Sequence, residues 1–277
     1  MIKYDVVRKR PEQFLLIFGV SIQLFEEILE KLSPLWAKDI LGNYKRQGGF
    51  PKLDITHMLL VLLLYYRNYI TQEFVGMLFG LNKSNVCRII KRLEPLLAKI
   101  MKLPERDKIP PDELESIIID ATENPIERPR YNQKLYYFGK KKTHTVKTEI
   151  RITKEMRITH VSETVPGTIH DIELLRKGTK LSKGTRVYAD SGYQGIQHDH
   201  EESEYPYKKP KNGNLTAEEK EYNTALFKFR VRVENVLGQI KVFRILQQRY
   251  RNKRIKFNIK FRIVAGVVNL KNGFGFA

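Results

Sequence analysis

The sequence predicts an all-helical N-terminal region followed by a layered α/β domain, a sheet flanked by helices. Three observations lead there. Apolar residues recur at helical spacing from residue 11 to about 103, the stretch Pro104 to Pro111 breaks the pattern, and beyond it short apolar or alternating runs take over. The expected division is 1–103 helical, 104–112 linker and 113–277 α/β.

In the helical region, Leu15, Ile17, Phe18, Ile22, Phe25, Ile28, Leu29 and Leu32 recur near a 3.6 period, with Ser33-Pro34 as the expected stop. Gly42 to Gly49 reads as a connector. Leu53 to Tyr69 is the next expected helix, with Asp54 near its start. Its apolar run, Met58 to Tyr66, is too short to cross a bilayer and reads as a buried helix. Two short helices follow, Gln72 to Leu78 and one starting near Lys83, separated by Phe79-Gly80-Leu81-Asn82. This is a helix-turn-helix layout, with Gly80 in the turn and Ser84 as N-cap. Lys83, Ser84, Asn85 and Arg88 would then face a major groove, and Lys91 and Arg92 would meet phosphates. Ordinary helical bundles also pair helices around a glycine, so packing alone is the alternative.

In the second region the expected strands are Ser116 to Asp120, Thr143 to Ile152, Met156 to Val165 and Arg186 to Ala189. A helix from Asp171 to Arg176 separates the last two, and a long helix runs from Ala217 to about Gln248.

Composition narrows the partner. The chain has 277 residues, 50 Lys and Arg against 31 acids, and a formal charge of +19, which points to a phosphate-rich partner. Two runs concentrate the charge. Residues 128–148 hold seven Lys or Arg and no acid, with Tyr131, Tyr136, Tyr137 and Phe138 interleaved; residues 241–262 hold nine and no acid. The single cysteine, Cys87, excludes an internal disulfide and reads as a half-buried thiol in a reducing compartment. No signal peptide is apparent, so a cytoplasmic, nucleoid-associated location of bacterial type is expected.

Against this basic background three acids stand out. Asp120 ends the run Ser116-Ile117-Ile118-Ile119, Asp190 ends Val187-Tyr188-Ala189, and Glu234 lies in the long helix. Acids at strand ends and on a neighbouring helix can converge on divalent cations. Asp at a strand end is equally an ordinary turn residue. At 100° per residue, Phe227, Arg230, Glu234 and Lys241 fall within an arc of about 60°, beside an apolar arc formed by Leu226, Phe229, Val233, Val236, Leu237 and Ile240. A plain Arg230–Glu234 surface pair is the bland alternative. Asp171 follows His170 at a helix start, where it reads as an N-cap. His198-Asp199-His200 has an H-x-H spacing, but its acidic surroundings favour a solvated loop over a soft-metal site.

The spacing Phe227-xx-Arg230-xxx-Glu234-xxxxxx-Lys241 resembles the Y-(2)-R-(3)-E-(6)-K signature of insertion-sequence transposases, with Phe in place of Tyr. With IIIDATENPIERP around Asp120, PGTIHD ending at Asp171 and YADSGYQG around Asp190, the chain is similar to the IS5-type branch of the DDE transposases, relatives of Harbinger-like nucleases. The resemblance runs from about residue 53 to 250. It implies an RNase H-like catalytic domain in which Asp120, Asp190 and Glu234 hold two divalent cations, Mg²⁺ or Mn²⁺. Arg230 and Lys241 would hold phosphates of the transposon end, and Asp171, in the His170-Asp171 pair that recurs in similar proteins, would be an accessory acid. It also implies double-stranded DNA as partner, a homodimer in the DNA complex, and cleavage of transposon ends followed by joining of the 3′-OH to target DNA. Phe227 lacks the phenolic hydroxyl of the signature. Only 43 residues separate Asp190 from Glu234, which leaves no room for a large insertion domain. A nuclease without strand transfer, and an inactive DNA-binding regulator, are the alternatives.

Overall fold

In the computed structural model, residues 1–42, 51–182, 184–211 and 213–277 are described; most of the expected connector from Gly42 to Gly49 lies outside them. Packing divides the chain into two compact units. The first comprises 1–102, 241–248 and 259–277, and the second 103–240 and 249–258.

The first unit is helical: α1 (Tyr4–Val7), α2 (Pro11–Phe18), α3 (Ile22–Gly42), α4 (Ile55–Asn68), α5 (Gln72–Phe79) and α6 (Lys83–Ile100). The expected helix through Leu15 to Leu32 is two helices. Gly19 adopts a left-handed conformation (φ 81°) and caps α2, so the chain turns before α3 begins. Helix α3 does not stop at Ser33-Pro34 but continues through Pro34 to Gly42. Ser33 Oγ donates to Leu29 O at 2.7 Å within it. Nine consecutive residues of α4, Met58 to Tyr66, are buried, as its unbroken apolar run implies. Asp54 caps α4 by accepting from His57 N at 2.8 Å.

The C-terminal segments 241–248 and 259–277 pack with these helices rather than with the sheet, unlike the expected assignment of all of 113–277 to one domain. Their buried residues explain why. Phe243, Ile245, Leu246, Phe261 and Val264 are all within the apolar core, and the turn Arg244–Leu246 packs against α4. Lys260 pairs with Glu94 at 2.7 Å, and Tyr66 Oη donates to the same carboxylate at 2.9 Å, all three buried. One member of the second basic run therefore belongs to an internal polar network, not to a surface.

The second unit is built on β1 (Ser116–Pro125), β2 (Tyr137–Phe138), β3 (Thr143–Thr153), β4 (Ile158–Val161), β5 (Val165–Pro166), β6 (Arg186–Tyr188) and β7 (Ser203–Glu204), with α7 (Gln133–Tyr136), α8 (Asp171–Lys177) and α9 (Ala217–Lys241). The last helix of the chain, α10, spans Phe257–Lys271. The sheet order is β2-β3-β1-β6-β7, with β4 and β5 also on β3. Strands β1 and β3 are antiparallel, whereas β1, β6 and β7 are parallel. The result is a mixed sheet flanked by helices, the RNase H-like arrangement, preceded in sequence by the helix-turn-helix region.

Three boundaries differ from expectation. Strand β1 does not end at Asp120 but runs on to Pro125, because β3 continues to pair with it as far as Pro125↔Thr145. The expected strand from Met156 to Val165 is two short strands. Helix α9 stops at Lys241 instead of near Gln248, and a 3₁₀ turn at Arg244–Leu246 follows. The linker 104–112 holds a 3₁₀ turn, Arg106–Lys108, and the start of another, Pro111–Leu114, and it buries Ile109.

Candidate active site

Sheet register brings the two strand-borne acids together. The parallel pairing of β1 with β6 ends at Ile118↔Tyr188, so Asp120 and Asp190 each stand two residues beyond the same pair. Asp120 shares the sheet face of Ile118, because side chains alternate along a strand. Tyr188 packs on Phe229 of α9 with ring centroids 4.2 Å apart and the rings tilted by 39°, so α9 covers this face. Arg230 of α9 is accordingly the strongest neighbouring charge that acts on Asp120. Leu226, Val233, Val236, Leu237 and Ile240 are buried, and Phe229 is half-buried.

Asp190 follows β6 with extended backbone and caps the 3₁₀ turn Ser191–Tyr193, accepting from Gly192 N. Asp171 is the first residue of α8. The N-cap position belongs to His170, whose side chain makes no capping bond. A Cβ at Gly192 would lie 2.3 Å from Asp171 Oδ2 and 2.8 Å from Asp190 Oδ1. The two aspartates therefore flank the same glycine, and both act on Asp120.

Burial is the largest influence on Asp120 and pushes its carboxyl up to about 6; Arg230 opposes the rise, and Asp190 and Asp171 add to it. The repulsion that Asp190 and Asp171 exert on Asp120 is what a hard cation would relieve, and all the donors are carboxylate oxygens. The residues present fit a divalent cation. Among the described residues no three His, Cys, Asp or Glu side chains form a ready ligand cluster, so the acids share a neighbourhood without closing into a cage.

Glu234 stands one helical turn beyond Arg230 and is exposed, on the rim of the apolar stripe of α9. Phe227, a turn before Arg230, is 55% exposed. Lys241 is the last residue of α9 and half-buried.

Behind the acids lies a polar ladder that sequence reasoning missed. Lys147, Glu149 and Arg151 are buried on β3, opposite Glu123, Ala121 and Ile119 respectively. Lys147 Nζ reaches Asp171 Oδ1 at 2.7 Å, Glu123 Oε1 at 3.8 Å and Ile169 O at 2.7 Å. Arg151 Nε donates to Glu149 Oε1 at 2.9 Å, and Tyr193 Oη donates to Glu149 Oε2 at 3.3 Å. Burial raises the Glu149 carboxyl and pushes the Tyr193 phenol well up. The signal was present in the sequence: charged residues at every second position of a strand bounded by apolar residues. Lys147 also falls within the basic run 128–148, which reads from sequence as a surface.

In the helix-turn-helix, α5 and α6 are joined through Gly80, which is left-handed at φ 65°. The N-cap of α6 is Asn82, not Ser84. Asn82 is extended and its side chain accepts from Asn85 N at 3.2 Å, which leaves Ser84 inside the first turn. Lys83, Ser84 and Arg88 are exposed, and Arg88 donates to Asn85 Oδ1 at 2.8 Å. Arg92, expected at phosphates, lies over Trp36 at 5.1 Å and pairs with Asp39 at 3.3 Å. Cys87 is half-buried, and His198-Asp199-His200 commits its aspartate to Arg176 at 2.9 Å.

Comparison with known proteins agrees with this architecture. The family model of the DDE superfamily endonuclease matches residues 119–272, and that of the helix-turn-helix of DDE superfamily endonuclease matches residues 51–103. A protein of Microchaete diplosiphon named as a probable transposase for insertion sequence element IS702 is 36% identical over 256 residues, 91% of each chain. One of Streptomyces albus G, named as a candidate transposase for insertion sequence element IS112, is 26% identical over 234 residues, covering 82% of this chain and 83% of its own. Among the described residues no helix is long and apolar enough to cross a membrane. An acid pair at the end of two parallel strands, a third acid beside it and a preceding helix-turn-helix thus coincide with both matches, and the chain belongs to the DDE superfamily of transposase endonucleases.

Proposed function

We propose that the protein is a DNA transposase that cleaves transposon ends and joins the released 3′-OH to target DNA. The observation that carries this reading is the neighbourhood of Asp120, where Asp190, Asp171 and Arg230 all act on one partly buried carboxylate. Asp120, Asp190 and Glu234 would hold two Mg²⁺ ions, with Asp171 as an accessory acid positioned by Lys147. When bound, such ions supply an activated oxygen nucleophile and stabilise the leaving oxygen. Arg230 places a cation beside the acids, and its Nε is buried without a hydrogen-bond partner, which suits it to a scissile or adjacent phosphate. Lys241 would hold a further phosphate of the transposon end. Lys83, Ser84, Asn85 and Arg88, at the start of α6, would read or grip the duplex, while two copies synapse two ends.

Single Asp120→Ala, Asp190→Ala and Glu234→Ala variants, assayed for end cleavage in Mg²⁺ with DNA binding measured alongside, test the assignment. The expected result is loss of cleavage by at least a hundredfold with binding retained. Undiminished cleavage in any one variant would remove that residue from the site. Strand-transfer products from a labelled, pre-cleaved end separate a transposase from a nuclease that only cuts.

A further inference from the structure

On the second unit lies a cavity of about 230 Å³ whose described lining contains no carboxylate. Three cations reach it: Arg106 from the linker turn, Arg151 from β3 and Lys180 from the segment after α8. Thr159, Ser182 and Thr185 add hydroxyls. Arg151 is the informative member. It is only 5% exposed, its Nε is committed to Glu149, and its Nη2 is buried without a hydrogen-bond partner. A desolvated guanidinium N–H with no acceptor is costly, and an acceptor entering from the cavity would satisfy it. The pairing of β3 with β4 slips between Arg151 and Ile152, the kind of irregularity that re-aims a side chain.

We propose that this cavity is a phosphate-binding site separate from the acidic centre. Of the neighbouring acids, Glu149 is committed to Arg151 and Tyr193 and Glu113 to Arg157 at 3.0 Å, while Asp107 and Glu115 line the adjoining cavity and not this one. That leaves the positive charges of Arg106 and Lys180 at the mouth, both exposed and free to close on an anion. A tetrahedral phosphate presents enough acceptor oxygens to meet the guanidinium, the ammonium and the hydroxyls together, which a single water cannot. The phosphate could belong to a DNA backbone or be a free ion, and the chemistry of capture is the same.

The test titrates inorganic phosphate into the full chain in EDTA at constant ionic strength, using calorimetry and melting temperature, with chloride as control. Wild type should bind saturably and melt higher. Arg106→Glu with Lys180→Glu, both on exposed side chains, should weaken binding at least tenfold. Asp120→Asn should leave it unchanged, which separates this site from the acidic one. Arg151→Lys, with fold checked by circular dichroism, should also weaken it. In a second arm, the double variant is compared with wild type on duplex DNA across a salt series. A slope of log affinity against log salt shallower by about 1 assigns the phosphate to DNA; an unchanged slope with phosphate binding intact in wild type assigns it to a free ion. Absence of saturable phosphate binding in wild type, or equal binding in the double variant, overturns the proposal.

Discussion

At the residue scale, Asp120 concentrates the electrostatics of the sheet-bearing unit. Its carboxyl is raised by burial and by two neighbouring acids to about 6, against an ordinary value of 3.8. The folded state therefore holds a proton that the unfolded chain has already released between pH 4 and 6, so stability falls as pH rises through that window and levels off above it. Asp120→Asn removes the titration. In EDTA the variant should gain on wild type across this window and end more stable by about 1 to 3 kcal/mol, read from denaturant midpoints at several pH values. Equal stability of the two at pH 7 would contradict the strain assigned to this carboxylate. Gly192 gives a complementary test. Its missing side chain lets Asp171 and Asp190 approach from two sides, so Gly192→Ala should drive them apart. Cleavage should fall by at least tenfold while the melting temperature moves little, since the glycine is exposed and lies outside the apolar core. The sequence made Asp120 and Asp190 visible because each follows an apolar run. It left Asp171 undecided between cap and site, since His170-Asp171 is compatible with either; only the fold puts Asp171 against Gly192.

At the element scale, the helix-turn-helix shows what spacing can and cannot specify. Two amphipathic patterns around Gly80 locate α5 and α6, but the cap lies two residues before the Ser84 that the pattern suggests. Asn82 and Ser84 are both good caps, and the choice depends on which residue has extended backbone. Asn82→Ala should cost about 1 kcal/mol and loosen the first turn of α6. Because Lys83, Ser84 and Asn85 occupy that turn, DNA affinity should fall with it, measurable by anisotropy on duplex DNA. An unchanged affinity would detach α6 from recognition. Polar alternation within buried strands was the other blind spot. Lys147, Glu149 and Arg151 look like surface charge one at a time, and their burial follows from β3 being paired with β1 along one edge and with β2, β4 and β5 along the other.

At the scale of the whole molecule, charge dominates the expected behaviour. Internal pairs such as Lys147–Asp171 and Lys260–Glu94 are neutral and leave the excess of 19 positive charges intact; burying that many unpaired cations would be prohibitively costly, so most of the excess faces outward. Where the C-terminal segments would pack was not legible from sequence, because Phe243, Ile245, Leu246 and Phe261 lie among basic residues that mask their apolar character. Binding and chemistry should separate cleanly in the full chain. Affinity for duplex DNA comes from counterion release on neutralising phosphates, so it should persist in EDTA and fall steeply with salt, with a slope near −0.9 for each phosphate contacted. On the proposed reading cleavage depends on the acids, so it should vanish in EDTA and return with Mg²⁺. Asp120→Asn should bind DNA with the same salt slope as wild type at pH 7 yet fail to cut. A binding constant that is flat between 50 and 200 mM salt, on the order of the range where such slopes are measured, would mean that the basic surface is not the DNA interface. Loss of binding in EDTA would instead mean that the cations help to hold DNA and are not confined to its cleavage.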